Sequence, residues 1–244
     1  PTISPVGDCA ISIDFGQVID PKINRHIRQT IERIQALQLD GIIELVPTYC
    51  ALLVQYDAML YSYADMCNII EPTFSESVTD GDNEMVTVIE IPTVYGGEFG
   101  PDLGFVASHN NISEEEVIAI HSGTDYLVYM LGFIPGFTYL GGMDPRIATP
   151  RLSSPRTLIP AGSVGIAGEQ TGTYPSDSPG GWQIIGRTPV TMYDMSKEKA
   201  ALLSAGDYVR YVPIDEAEYN RIKALGADYA PSMYEVEVGE LRGY

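Results

Sequence analysis

Positive charge is what this chain has least of. Fourteen Lys and Arg stand against thirty-three Asp and Glu, for a net charge of −19 at pH 7. Nucleic-acid binding needs a basic footprint that releases counterions, so that class is excluded. An anionic membrane surface would repel the same charge. Histidine is scarce as well: His26, His109 and His121 share no ligand spacing with each other or with acids, so no metal site is expected. Cys9, Cys50 and Cys67 are an odd set without CxxC spacing, and the expectation is buried free thiols in a reducing compartment. No apolar run approaches ~18 residues, so no spanning helix is expected. The stretch Pro1-Thr2-Ile3-Ser4-Pro5 has neither the basic nor the apolar region of a secretory signal, and the expected location is the cytoplasm. The glycines of Gly162–Gly168 lack the Lys-Ser/Thr that completes a P-loop, and the dinucleotide fingerprint is absent. There is no Met-Lys-Met-type biotin acceptor either.

What is present reads as α+β. Cys9 to Phe15 alternates as a strand, and Asp20-Pro21 opens a helix in N-cap and N1 order. Ile23, Ile27, Ile31, Ile34 and Leu37 then form one apolar stripe. Ile42 to Val46 and Tyr49 to Tyr56 read as strands, and Asp57 caps an expected helix that stops at Pro72. Phe74 to Glu84 reads as an acidic linker, and Met85 to Ile91 as the next strand. The order resembles a ferredoxin-like βαββαβ layout whose last strand leads into a second domain. The expected division is an α/β domain over 1–84 and a β-barrel or sandwich domain with few helices over 85–244. In the second half, Asp102 to Ser108 and a helix capped by Ser113 precede a strand from Tyr126 to Gly132. Short strands follow at Ser163–Ile166, Gln183–Ile185, Val190–Tyr193 and Tyr208–Val212, then a helix from Asp215 to Leu225. The tail past Tyr229 either folds back as a strand or reaches a partner.

Gly and Pro crowd between Tyr126 and Pro189, the signature of shaped loops on a β scaffold. Three of the scarce cations, Arg151, Arg156 and Arg187, lie there, and guanidinium pairs well with carboxylate or phosphate. They are either ligand-facing or paired with the abundant acids. Tyr139, Tyr174 and Trp182 are candidate pocket walls or core. Ser163 sits among turn glycines, where its hydroxyl serves the backbone or an anionic ligand; a nucleophile elbow is disfavoured because a strand-like run follows it. His121 ends a helix, where it suits the dipole, and His26 reads as a surface residue.

The runs GDCAISIDFG, ELVPTYCALLVQYD, IPTVYGGEFGPDL, EEVIAIHS, YMLGFIPGFTYLGGMD, PRLSSPRTLIPAGSVGIAGEQTGTYP and SPGGWQIIGRTP resemble the allophanate hydrolase subunit 1 family. That family includes the B-type subunit of 5-oxoprolinase, the kinase-inhibitor (KipI-type) proteins and part of the carboxyltransferase region of urea carboxylase. The resemblance implies a small α/β domain followed by a cyclophilin-like β-barrel. It also implies a companion allophanate hydrolase subunit 2-like protein and, in the 5-oxoprolinase system, a third subunit. Together these open 5-oxoproline to glutamate at the expense of ATP, whose site is not placed on this chain. The shared segments map to Phe133, Pro135, Gly136, Phe137, Tyr139, Arg151, Arg156, Pro160, Gly162, Ser163, Gln170, Tyr174, Pro175, Gly181, Trp182, Arg187 and Thr188, with His121 upstream. They enter as a substrate-binding surface, with no catalytic role assigned to any one.

The leading expectation is an enzyme subunit, incomplete alone, whose loops hold a small carboxylate or amide. Arg156 or Arg187 would pair with its anionic group, and Ser163 with neighbouring N–H groups would receive an oxyanion. The alternatives are an inhibitor that docks on a sporulation-type sensor histidine kinase, and a carboxyltransferase subunit of the allophanate hydrolase or urea carboxylase type. Prolyl isomerisation would rest on fold analogy alone.

Overall fold

Alternation of apolar and polar residues builds the first sheet, and caps decide where its helices begin. A computed structural model describes residues 1–75 and 84–243, and the chain divides into two compact units, Pro1–Gly81 and Asp82–Tyr244. The first unit holds β1 (Thr2–Val6), β2 (Ala10–Asp14), α1 (Pro21–Ala36), β3 (Ile42–Pro47), β4 (Ala51–Tyr56) and α2 (Tyr63–Ser75). Its sheet order is β1-β2-β4-β3, antiparallel throughout. The part β2-β4-β3 with its two helices is the ferredoxin-like arrangement expected. Its remaining edge is taken by β1, which the sequence reading did not include; the expected last strand, Met85 to Ile91, belongs instead to the sheet of the second unit. Pro5 hides it: proline cannot donate to a ladder, yet is tolerated where a strand pairs on one side only.

Asp20 caps α1 by accepting the Lys22 N–H, with Pro21 following it. Ile27 and Ile34 are fully buried on Ile11, Ile13, Leu52, Val54, Met66 and Ile70. Leu37 leaves the expected stripe, since it stands at the C-cap and is exposed. The second helix departs further from expectation. Asp57 caps a turn through the Met59 N–H, and the helix starts only at Tyr63, where Ser62 and Asp65 exchange hydrogen bonds. It then runs through Pro72 to Ser75. Proline forfeits one helical hydrogen bond, but burial of Thr73 and Phe74 offsets the loss. The last carbonyls are met from α1: Arg33 donates to Thr73 O at 2.9 Å and His26 Nε2 bonds Phe74 O at 2.9 Å. His26 is thus a half-buried clamp against Phe15, not the surface residue expected, and its desolvation lowers its pKa. The expected linker begins inside α2, and its 76–83 portion lies outside the described residues. The three cysteines are free but not buried: Cys9 is exposed, and Cys50 and Cys67 are partly so.

The second unit begins with β5 (Met85–Tyr95), then α3 (Leu103–Asn110), α4 (Glu114–Ser122), β6 (Asp125–Leu131), β7 (Thr138–Gly141), β8 (Arg156–Ile159), β9 (Ser163–Ala167) and β10 (Gln170–Thr173). It continues with β11 (Ser178–Gly180), β12 (Gln183–Arg187), β13 (Tyr208–Pro213), α5 (Glu216–Leu225) and β14 (Met233–Glu237). The main path is β10-β9-β12-β5-β13-β6-β7, with β14 also on β5. Its two end strands, β10 and β7, pack on each other, so the sheet nearly closes into a barrel. The eleven-residue β5 makes this possible. One edge takes β13 in parallel; the other takes β14 beside Met85–Ile89 and β12 beside Val94 and Tyr95. The capping box at Ser113 and Glu116 starts α4 as expected. α3 and α4 cover a core of Ile89, Ile91, Val106, Val117, Tyr126 and Val209. The expected strand at Val190–Tyr193 is not formed. Val190 and Met192 are buried, but their segment makes only an isolated bridge from Tyr193 to Ala201.

A buried ion pair ties the tail down. Arg210 on β13 donates through Nε and a terminal nitrogen to Asp125 on β6, both at 2.6 Å. Asp125 also accepts the Arg242 N–H at 2.8 Å, and Arg210 donates to Tyr234 Oη on β14. The Asp125 side chain has 0% of its surface exposed, so removing its charge strands a cation inside the protein. Asp125→Asn is expected to lower the unfolding free energy by roughly 3–5 kcal/mol. Urea denaturation followed by circular dichroism measures this, and a loss below about 1 kcal/mol would contradict it.

Candidate functional site

The candidate residues divide between a pair of separate cavities in the second unit and the structure behind them. β8 and β11 form a short two-stranded arm, with Arg156 opposite Gly180. Gly180 has no room for a Cβ, which would meet the Tyr174 hydroxyl and Ile159. The arm therefore lies flat against Phe137, Ile159, Tyr174, Trp182 and Ile184, a satellite core of its own.

The first cavity, about 220 Å³, opens beside that core and is lined by Phe133, Phe137, Tyr139, Arg151, Tyr174 and Pro179 to Trp182. Phe137 is its hub, with ring centroids 5.3 Å from Tyr139, 5.6 Å from Tyr174 and 5.6 Å from Trp182, each edge to face. Such contacts hold ring orientations beyond what burial alone would do. Phe133, 67% exposed and with φ of 70°, stands at the rim on the edge of Phe137. A bulky residue in the left-handed region is strained, so the Gly-Phe-Ile-Pro-Gly loop holds that ring outward at a cost. Burial pushes the Tyr174 hydroxyl up to about 12, against the opposing pull of Arg151 and Arg156. At neutral pH it is therefore a hydrogen-bond donor. Arg151 brings the cavity's positive charge and has no ion-pair partner among the described residues.

Arg156 has a different place from the one its sequence context suggests. One terminal nitrogen donates to Asp102 at 2.7 Å and the other to Trp182 O at 3.3 Å. Asp102 also accepts the Ile184 N–H at 2.6 Å. Arg156 thus holds the Trp182 wall and is occupied by an acid of this chain.

The second cavity, about 490 Å³, is lined by Pro160, Gly162, Pro175, Arg187, Thr188 and, from α5, Tyr219 and Lys223. Gly162 has φ of 81°, and a Cβ there would collide with Thr188 O, so the close approach of these loops requires glycine. Ser163 follows it into β9, fully buried, and its Oγ has no hydrogen-bond partner. It does not line either cavity. Gln170 starts β10, away from both.

His121 is brought to neither cavity. It is 0% exposed, with Nδ1 2.8 Å from Tyr95 Oη and Nε2 2.7 Å from Thr171 Oγ1. Thr171 spends its one proton on Gly165 O, so Nε2 carries the hydrogen and Nδ1 accepts from Tyr95. Desolvation lowers its pKa to about 3. It is a neutral core residue, not the helix cap suited to the dipole that its position suggested. Lys223 and Tyr219 are the residues missed by sequence reading, since α5 lies far along the chain and no motif joins it to Arg187. Among the described residues no group of three or more His, Cys, Asp or Glu side chains could hold a metal ion, and no helix is long and apolar enough to cross a membrane.

Two outcomes test this arrangement. Trp182 is the only tryptophan, so Arg156→Gln is expected to red-shift its emission while the far-ultraviolet circular dichroism stays unchanged; an unmoved spectrum would remove Arg156 as the wall's support. His121 takes up its proton in the unfolded chain near its ordinary 6.5 and in the folded chain only near 3. Its contribution is therefore complete above 6.5 and lost as pH falls towards 3. His121→Gln is expected to be less stable at pH 7 but to show a shallower loss between pH 6.5 and 3, and parallel acid limbs would contradict that.

The family model for the carboxyltransferase domain, subdomain C and D, matches residues 1–203. The B-type subunit of the 5-oxoprolinase of Bacillus subtilis (strain 168) is 45% identical over 231 residues, covering 91% of this chain and 96% of that protein. A solved structure of a conserved uncharacterized protein from Pyrococcus horikoshii is 48% identical with a TM-score of 0.54, covering 89% of this chain and 100% of that one. The urea amidolyase of K. lactis shares the fold, with a TM-score of 0.78 at 22% identity, across 96% of this chain but 16% of that much longer one. The chain belongs to the carboxyltransferase subdomain C and D family.

Proposed function

We propose that this chain is the B-type subunit of an ATP-dependent 5-oxoprolinase, an enzyme that opens 5-oxoproline to glutamate. The observation that carries the reading is the 45% identity to a 5-oxoprolinase subunit of that type across 91% of the chain. The likeness to urea amidolyase at 22% identity speaks to architecture alone. The substrate is a small ring with one carboxylate and one amide. The aromatic cavity of about 220 Å³ suits it in size and chemistry.

In this reading Arg151 takes the carboxylate with paired N–H donors, as guanidinium does. The edges of Phe137, Tyr139 and Trp182 sandwich the ring and keep water from it. The Tyr174 hydroxyl, held protonated by burial, is a donor for the amide or carboxylate oxygen. Opening the lactam breaks its C–N bond and adds water across it; ATP is the co-substrate that drives this. Among the described residues, those lining the aromatic cavity bring Arg151 and the Tyr139 and Tyr174 hydroxyls but no set of nucleophile, base and orienting group. The reading therefore assigns the reaction to a complex with a companion allophanate hydrolase subunit 2-like protein and a third subunit, and the strained, outward Phe133 would lie at the shared mouth.

The test is reconstitution. Omitting this chain from the co-expressed complex is expected to abolish ATP-dependent 5-oxoproline hydrolysis, and full activity without it would overturn the function. Arg151→Ala is expected to lower kcat/KM on the order of tenfold or more, consistent with loss of a charge-assisted pair. Unchanged kcat/KM would remove the aromatic cavity as the substrate site while leaving the subunit assignment standing.

A further inference from the structure

The second cavity is unexplained by that reading, and its electrostatics are unusual for this chain. Phe99 and Tyr219 pack with ring centroids 4.8 Å apart and form a small core with Val94. Each ring carries one cation: Arg187 lies 5.9 Å over Phe99, and Lys223 lies 5.6 Å over Tyr219. Both cations line the cavity of about 490 Å³. Neither makes an ion pair among the described residues. The one acid on the lining, Asp177, is turned to the backbone, its Oδ1 accepting the Ala161 N–H at 2.8 Å.

A further observation points the same way. Arg187 and Ser163 are directly opposed residues of β12 and β9, so their side chains leave the sheet on the same face. Arg187 Nε and Ser163 Oγ are both buried and have no hydrogen-bond partner. Unpartnered buried polar atoms are rare and costly, and here they cluster behind a cationic wall. The floor is backbone: Gly162, which no side chain could replace, against Thr188.

We propose that this cavity is a phosphate-binding site for a small phosphorylated ligand, separate from the aromatic cavity. A carboxylate is a single charge that one guanidinium satisfies. A phosphate group carries nearly twice that charge and more acceptor oxygens. It matches a guanidinium fork on one side and an ammonium on the other, each lying over an aromatic ring. The volume leaves room for more than the phosphate itself, so the ligand is either the free oxyanion or an ester of it.

Calorimetric titration of the full chain at low salt tests the site, with inorganic phosphate, pyrophosphate, ATP and acetate as separate probes. Saturable binding of phosphate or pyrophosphate, weakened on the order of tenfold by Lys223→Gln and by Arg187→Gln, supports it. Arg151→Ala is expected to leave that affinity unchanged, so failure here and failure of the 5-oxoprolinase reading are distinguishable. ATP binding tighter than pyrophosphate would identify a nucleotide as the carrier; ATP binding no tighter would identify the free anion or a smaller ester. Lys223 is exposed on α5, so its replacement tests the site even if Arg187→Gln does not fold. Absence of saturable phosphate binding, affinity unaltered by Lys223→Gln, or acetate binding as tight as phosphate would each overturn the proposal.

Discussion

Asp102 is the small anchor on which the aromatic site depends. Its carboxylate accepts the Ile184 N–H and the Arg156 guanidinium, while its own N–H donates to Ile184 O. One residue therefore joins the start of α3, the strand β12 and the arm of β8 and β11. The cost is local, because the carboxylate is not available to cap α3, which has no side-chain cap. Buried against β12, α3 needs the cap less than the arm needs its anchor. Trp182 follows from this geometry: its carbonyl is held by Arg156 and its ring by Phe137 and Tyr174.

Five of the scarce cations have a readable place in the second unit. Arg210 and Arg156 are committed to Asp125 and Asp102, at 2.6 and 2.7 Å, and hold strands and tail together. Arg151, Arg187 and Lys223 have no such acid and line cavities instead. Among these five cations the rule is that those joined to an acid brace the fold, whereas the other three face walls that carry no acid, as around Arg151, or one turned to the backbone, Asp177. The rule also separates residues that looked alike in sequence: Arg156 and Arg187 both sit beside Gly and Pro, yet only one is neutralised from within.

Local chemistry was legible in the sequence and distant pairing was not. Asp20-Pro21, the Ser113 box and the alternation of Ala10 to Asp14 could be read directly, because each signal lies within a few residues. The ferredoxin-like order, apart from its last strand, and the barrel-like second unit were likewise readable, the latter from short strands between Gly and Pro loops and from family resemblance. Strand β1 was hidden by Pro5, whose meaning depends on being at an edge. The helix that continues past Pro72 was hidden because its last carbonyls are satisfied from α1, some forty residues away. His121 read as a helix cap suited to the dipole because no local pattern reveals that Tyr95 and Thr171 close over it. Of the site, the aromatic wall was readable as a cluster of types, whereas Lys223 reaches its cavity only through the placement of α5.

The glycines and prolines of this region are best understood through the backbone they bring together. Tyr174 gives its ring to the aromatic cavity, and its main chain to the other: Gly162 N–H donates to Tyr174 O at 2.7 Å, and Tyr174 N–H donates to Ser163 O at 2.9 Å. Gly162 in turn accepts from Thr188 at 2.9 Å. The main chain of Tyr174 therefore ties the wall of one cavity to the floor beneath Arg187 in the other. Only glycine at 162 allows that tie, since any side chain would force Thr188 away. The density of special residues follows from this constraint. Both cavities share one tight backbone junction, and at position 162 it leaves no space for a side chain.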